Sequence, residues 1–266
     1  MKLIVCDLDG TLLTHDLKIA ETDREALQKA NESGIEIAIA SGRMYPDISR
    51  IMSQLDIKGC SVGQNGASVY SKTGELIAEK TFDPELFYDL YHAGRKLNSA
   101  LTTLICTHNQ IIIEKHSDES LILAKKFLSP ILEDHNIISK IGAKVHPSKL
   151  TFLGSTEAVL DVKVLLESLY GDHIEVTLSE SGCIDVMPKG ITKGAGLSKL
   201  MNRLNIPVQE MACIGDSYND LSMFDLTPYS FVMNQSPDDV KARANYQVSS
   251  VADAVHRLLD ETFPVK

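Results

Sequence analysis

The sequence predicts a doubly wound α/β core, a mostly parallel sheet with helices on both faces, and an α+β module inserted into it. Three observations carry that expectation. First, three short apolar runs end abruptly in small polar or charged residues: Leu3-Ile4-Val5-Cys6 before Asp7, residues 35–40 before Ser41, and Met211-Ala212-Cys213-Ile214 before Gly215-Asp216. Runs that are apolar at nearly every position fit strands covered on both faces, as in a parallel sheet. Second, segments with helical spacing separate these runs, giving a strand–helix–strand order at both ends of the chain. Third, the middle changes texture, to paired strand candidates around tight turns mixed with helices, which fits an antiparallel α+β module.

The elements follow in order. Thr22-Asp23-Arg24-Glu25 has the pattern of a capping box, and Ala26, Leu27 and Ala30 continue it at helical spacing. Gly34 is placed to stop that helix before the second strand. Ser61-Val62-Gly63 and Ala67-Ser68-Val69-Tyr70 flank Asn65-Gly66, a pair suited to a type I′ hairpin turn that also has the option of facing a pocket. Residues 101–106 and 110–115 read as strands joined at His108-Asn109, and 150–153 as another strand. Ser155 is placed to cap a helix reaching Tyr170, and 174–178 with 183–187 form a hairpin around Glu180-Ser181-Gly182. Thr192 caps a helix over 193–204, with Pro207 beyond its end. Phe82-Asp83-Pro84 and Met187-Pro188-Lys189 mark entry to and exit from the module. The core is therefore expected at 1–82 and 189–266, and the inserted module at 83–188. A chain of 266 residues can bury one larger and one smaller core.

Charge and composition narrow the partners. The net charge is −10 and the pI about 5.3, so the basic stripe that a nucleic-acid backbone demands is not expected. A single phosphate can still be held by a locally positive site. The five cysteines lack any C-x-x-C spacing and the eight histidines are scattered, which argues against zinc and for reduced, buried thiols. No apolar run has the length of a signal peptide or membrane span. The expectation is a cytoplasmic protein with no membrane, nucleic-acid or obligate protein partner.

The chemistry concentrates at the strand ends. Ligands of open α/β sheets bind beyond the carboxyl ends of the strands, so neighbouring strands would bring Asp7, Ser41 and Asp216 to one edge. Asp7 and Asp9 are two apart, which on an extended backbone points both side chains the same way. With Asp216 and Asp220 they form a crowd of carboxylates that needs a proton or a cation. Mg²⁺, a hard cation with oxygen ligands, suits that need, and with Lys193 it would bring three carboxylates to about zero charge. A carboxylate is also a nucleophile toward phosphoryl groups, by way of an aspartyl-phosphate. The hydroxyls of Thr11 and Ser41, the amides of the turn after Asp9, and Lys193 at a helix N-terminus would neutralise the transferring group. Asp9 is suited to act as acid toward the leaving oxygen and then as base toward water. Arg43 either touches the phosphate or lies over the pocket rim. Lys189 competes with Lys193 for the cationic role. Asp225, Asp238 and Asp239 read as solvated surface carboxylates.

Taken together, Asp7-Leu8-Asp9-Gly10-Thr11-Leu12, Ser41-Gly42-Arg43, Lys193 within Ile191-Thr192-Lys193-Gly194, and Gly215-Asp216-Ser217-Tyr218-Asn219-Asp220 resemble the four ordered motifs of the haloacid dehalogenase-like (HAD) superfamily. Gln64-Asn65-Gly66-Ala67 and the position of the module after the second motif resemble the Cof-type subfamily. The resemblance implies a HAD-like Rossmannoid core whose inserted cap closes over the site and reads the leaving group, with 180–183 a candidate for that surface. It implies that Asp7 is the nucleophile and Asp9 the general acid/base. Mg²⁺ would sit on Asp7, the main-chain carbonyl of Asp9 and Asp216, with Asp220 behind them. Thr11, Ser41, Gly42, Lys193 and Asn219 would form the phosphate side, with Arg43 and Asn65 toward the substrate. Possession of Asp9 favours a phosphatase over the dehalogenase branch. The implied substrates are small phosphorylated metabolites, with sugar phosphates the commonest class. A phosphomutase using the same aspartyl-phosphate and a non-catalytic regulatory protein that binds a phosphorylated ligand are the alternatives. The chain departs from the family at Met233-Asn234-Gln235-Ser236-Pro237, where Gly-Asn-Ala is usual, and at Ser249-Ser250, where Asp-Gly-Val is usual. Both departures are expected to lie away from the reacting groups.

Overall fold

A computed structural model describes residues 1–14, 16–124 and 129–260. The first unit, Met1–Ala78 with the chain from Thr192 on, begins with β1 (Leu3–Cys6), α1 (Glu21–Glu32), β2 (Glu36–Ala40), α2 (Tyr45–Gln54), β3 (Cys60–Gly63), β4 (Ser68–Tyr70) and β5 (Leu76–Glu79). The second unit, Glu79–Ile191, holds α3 (Pro84–Leu97), β6 (Thr102–Cys106), β7 (Ile111–Ile113), α4 (Asp118–Ala124), β8 (Ile131–Glu133) and α5 (Ile137–Lys140). It continues with β9 (Lys149–Leu153), α6 (Thr156–Tyr170), β10 (Ile174–Glu180) and β11 (Cys183–Pro188). The chain then returns to the first unit with α7 (Lys193–Leu204), β12 (Met211–Gly215), α8 (Leu221–Phe224), β13 (Tyr229–Met233), α9 (Asp238–Lys241), β14 (Tyr246–Val248) and α10 (Val251–Leu259). Phe82 donates its amide to Pro147 at 2.8 Å and packs in the second unit's core, so the division falls ahead of the proline-bearing segment.

The first unit is built on one sheet in the order β14-β13-β12-β1-β2-β3-β4-β5. The strands from β14 to β3 are parallel and β4 runs back along β3. Side chains alternate between the faces. Leu3, Val5, Ala38 and Cys213 pack with Leu197 and Leu200 of α7, while Ile4, Ile37 and Ile39 are fully buried on the opposite face. α1 begins at Glu21 with Ala20 in the capping position and no side-chain cap, so the expected box at Thr22 does not form. Asp23 instead accepts from the amide of Ala252 at 2.7 Å, capping α10 from a distance.

Asn65-Gly66 is not a two-residue turn. Gly63 pairs with Ser68, so 64–67 form the connection, with Gln64 and Asn65 at φ 50° and 55° and Gly66 at 105°. A Cβ on Gly66 would lie 2.1 Å from the carbonyl oxygen of Thr192. The longer loop therefore presses against the start of α7, which a two-residue turn would leave untouched.

The second unit carries a sheet in the order β10-β11-β9-β6-β7-β8, antiparallel except for the parallel pair β7–β8. Phe87 and Leu90 of α3 and Val159, Val162 and Leu166 of α6 pack with Phe152, Ile184 and Val186 in one core. Lys149, Thr151 and Asp185 alternate with those strand residues and so face the other way. Lys149 Nζ lies 3.1 Å from Asp185 Oδ1, and Thr151 Oγ1 donates to the same oxygen at 2.7 Å. Burial pulls the Lys149 ammonium down, but the Asp185 carboxylate outweighs it and holds the lysine above its ordinary value. Among the described residues, no helix is long and apolar enough to cross a membrane.

Candidate active site

Asp7, Ser41 and Asp216 each stand one residue beyond a strand, and those strands, β1, β2 and β12, are neighbours. The amide of Asp7 donates to Ile214 at 2.9 Å and that of Ser41 to Val62 at 2.9 Å, so both are still tied to the sheet. α7 starts at Lys193, because Thr192 caps it by accepting from Ala195 at 3.1 Å.

Lys193 organises the centre. Its side chain is 0% exposed, and Nζ lies 2.5 Å from Asp7 Oδ1 and 2.6 Å from Asp220 Oδ1. The other oxygen of Asp220 accepts from the amides of Asp216 at 2.8 Å and Ser217 at 3.0 Å. Asp220 thus uses both oxygens to fix the lysine and the loop. Asp216 accepts from the Thr11 hydroxyl at 3.2 Å. Lys189, by contrast, is half exposed and pairs with Glu175 of the second unit at 3.4 Å.

The electrostatics follow from burial and crowding. Burial pushes the Asp7 carboxyl up, Lys193 pulls it back, and Asp220 and Asp216 push it further, leaving it well above the usual carboxylate range. Burial and then Asp220 hold Asp216 at about 6. Burial lowers the Lys193 ammonium, but Asp220 and Asp7 outweigh it and hold it above the ordinary lysine value. With three ionised carboxylates and one ammonium, the cluster carries two negative charges in surplus. Asp7 and Asp216 each offer an oxygen within 4.8 Å of the other, a crowding of buried carboxylates that a proton or a cation relieves.

A divalent cation fits this set. Asp7, Asp216 and Asp220 each offer an oxygen within 4.8 Å of the others, and the donors are all hard oxygens, as Mg²⁺ prefers. Because Asp220 is committed on both sides, Asp7 and Asp216 are the side chains with an oxygen left to give.

Asp9 and Arg43 differ from expectation. The chain turns directly after β1, with the Leu13 amide on the Leu8 carbonyl at 2.7 Å and Gly10 at φ 89°, so the extended geometry for Asp7 and Asp9 does not hold. The Asp9 carboxylate is 43% exposed and takes two bonds from Arg43, Nε to Oδ2 at 2.8 Å and Nη2 to Oδ1 at 2.6 Å. Arg43 is therefore a clamp on Asp9, a role that neither of its expected placements included. A guanidinium matches a carboxylate in this two-point geometry.

The remaining residues form a frame. The Ser41 hydroxyl accepts from the Arg43 amide at 3.2 Å, and half-buried Gly42 lies between the two. The amide of Asn65 donates to Ser41 at 3.0 Å, and its side-chain oxygen accepts from Asn219 Nδ2 at 3.2 Å, linking the second and fourth motifs. Gln235 Nε2 donates to the Gly10 carbonyl at 2.9 Å. That segment was expected to lie away from the reacting groups, and it reaches the first motif because β13 ends beside β12. The only signal in the sequence was the departure from the family pattern. Asp225 pairs with Arg243, and Asp239 accepts from the Tyr218 hydroxyl.

Residues 4–259 match the family model described as haloacid dehalogenase-like hydrolase. Phosphatase YwpJ of Bacillus subtilis (strain 168) is 28% identical over 284 residues, covering 98% of this chain and 96% of its own. The 5-amino-6-(5-phospho-D-ribitylamino)uracil phosphatase YwtE of the same organism is 26% identical, covering 94% of this chain and 93% of its own. Among solved structures, a haloacid dehalogenase-like hydrolase from Bacteroides thetaiotaomicron has a TM-score of 0.84 at 29% identity, covering 97% of this chain and 99% of that one.

Proposed function

We infer the activity from one premise: the chain belongs to the haloacid dehalogenase-like hydrolase family, in its Cof-type branch. It is a phosphatase. In finer terms it is a Mg²⁺-dependent hydrolase of small phosphorylated metabolites, sugar phosphates foremost, working through an aspartyl-phosphate on Asp7. The observation that carries this reading is Lys193, fully buried between Asp7 and Asp220 with Asp216 alongside. Three carboxylates around one ammonium, two negative charges in surplus when all are ionised, call for a proton or a cation, and a cation beside a carboxylate nucleophile serves phosphoryl transfer.

Asp7, Asp216 and the main-chain carbonyl of Asp9 would hold the Mg²⁺, which when bound supplies positive charge for the phosphate oxygens. Lys193 adds a fixed charge, and Thr11, Ser41 and the amide of Gly42 add donors, while Asn219 and Asn65 keep the loops in place. An Asp7 oxygen attacks phosphorus as the bond to the leaving oxygen breaks. Asp9, which enters this step protonated and so keeps only one oxygen on Arg43, gives that proton to the leaving oxygen. It then takes a proton from the water that attacks the phosphorus of the aspartyl-phosphate, which frees Asp7 and inorganic phosphate and restores Asp9. The inserted unit selects the leaving group. The relative named for a phosphorylated ribitylaminouracil supports a small metabolite as substrate. Four buried cysteines and one partly buried, all free, support a reducing, cytoplasmic setting.

The test is release of inorganic phosphate from a panel of phosphorylated metabolites, with Mg²⁺ and with EDTA. Release that EDTA abolishes is expected. Transfer of the phosphate to another position of the sugar, with none released, would make the protein a mutase instead. Binding of the metabolites without turnover would make it a regulatory protein.

A further inference from the structure

We propose that Gln235 is a positioning residue for the cation site, acting through the main chain of the first motif; this rests on the metal reading above. The Gly10 carbonyl oxygen can only accept a hydrogen bond, so the amide nitrogen of Gln235 must face it, at 2.9 Å. Gly10 lies hard against the site. Its φ is 89°, and a Cβ there would stand 2.3 Å from Asp216 Oδ2, so bare main chain lies against that carboxylate.

The neighbours of Gly10 are the groups that must be placed. Asp9, before it, carries the carbonyl assigned to the cation. Thr11, after it, donates its hydroxyl to Asp216 at 3.2 Å. Both swing if the torsions of Gly10 move, and a glycine does little to restrain its own torsions. Its amide offers only a long bond to the Leu13 carbonyl, 3.3 Å. Gln235 holds the oxygen on the other side of the residue. The anchor is itself firm: Asn234 donates its amide to Val248 at 2.9 Å and Ser236 to Met233 at 3.1 Å, which ties the loop to β14 and the end of β13. A side chain from the segment where this chain leaves its family's pattern thus braces the main chain between the Asp9 carbonyl assigned to the cation and the Thr11 hydroxyl that donates to Asp216.

The test is calorimetric titration with Mg²⁺ alone on the wild type, Gln235→Met, Gln235→Ala and Asn234→Ala, with melting of each metal-free protein and the Mg²⁺ dependence of turnover. Methionine keeps the length of glutamine without its donor. The expected result is Mg²⁺ binding about three- to tenfold weaker in both Gln235 variants, the range for losing one neutral hydrogen bond. The Mg²⁺ concentration for half-maximal turnover should rise in parallel, kcat at saturating Mg²⁺ should stay within about twofold, and metal-free melting should be unchanged. Asn234→Ala should behave as the wild type. Unchanged Mg²⁺ binding in Gln235→Met overturns the proposal, as does an equal loss in Asn234→Ala or a fall in metal-free melting that accounts for the weaker binding. If the wild type binds no Mg²⁺, the metal reading itself fails and the role of Gln235 falls with it.

Discussion

Each unit of the protein buries a lysine among polar partners, and the two clusters differ in their sum of charge. In the second unit, Lys149 pairs with Asp185, and Thr151 supplies a further donor. The result is neutral, and its members sit side by side on β9 and β11. In the first unit, Lys193 meets two carboxylates and a third lies beside them, at strand ends and a helix start. A charge-balanced, hydrogen-bonded pair needs no added cation and serves the register of two strands. An unbalanced set is costly until a cation arrives. The same residue types therefore make a structural element in one place and a site in the other.

Replacing the two lysines separates these roles most sharply. Lys193→Met should lower turnover by about 10²- to 10³-fold, as loss of a fixed charge on the reacting group does. Lys149→Met should instead lower stability by about 3–5 kcal/mol, because it strands a buried carboxylate, while turnover per folded molecule is kept. Lys149→Met with Asp185→Leu should regain most of that stability. Phosphate-release assays and denaturant melts on all three variants decide the matter, and a reversed pattern would make the second cluster the working one.

Arg43 gives the next largest effect. Without its clamp Asp9 is exposed and unaimed, so Arg43→Ala should lower kcat about 10- to 100-fold, part of the contribution of a positioned acid. Mg²⁺ binding should not change. Arg43→Lys should recover only a fraction, since an ammonium cannot bond both oxygens in one plane. Equal recovery by lysine would reduce Arg43 to a simple charge.

The smallest effect is on stability against pH. Asp216 has its carboxyl raised to about 6, with burial the main cause. Between the ordinary carboxylate range and about 6, the metal-free folded protein holds a proton that the unfolded chain has released. Its stability from this group therefore falls as pH rises through that window, and the raised Asp7 adds in the same sense. A cation in the site offsets the loss. Melting scans with and without Mg²⁺ should show a small gain near about pH 5 and a larger one above about 6. A gain independent of pH would separate the cation from Asp216.

Much of this was legible in the sequence because it is local. Continuous apolar runs announced β1, β2 and β12, and Thr192 and Ser155 announced α7 and α6 through their own caps. The residues at the ends of those runs were legible for the same reason. What stayed hidden depends on partners far along the chain. Asp23 looked like part of its own helix's cap and serves α10, which only the packing of α1 on α10 makes possible. Asn65-Gly66 had the local signature of a tight turn, while the approach of α7 imposes a longer one. Arg43 could be placed near the phosphate from its motif, but the turn that delivers Asp9 to it depends on Gly10 and Leu13. β8 was missed because its pairing with β7 is parallel and its residues do not alternate cleanly between exposed and buried.

The most direct test of the central claim is phosphate release by Asp7→Asn beside the wild type, with Mg²⁺ saturating and melting recorded for both. Asparagine keeps the shape of the side chain and leaves Lys193 its bond to Asp220, so the fold should persist. Turnover below about a thousandth of wild type, in a protein that melts normally, is the predicted result for loss of a covalent nucleophile. Turnover clearly above that level from a pure, folded variant would contradict the assignment of Asp7 as the residue that takes the phosphoryl group.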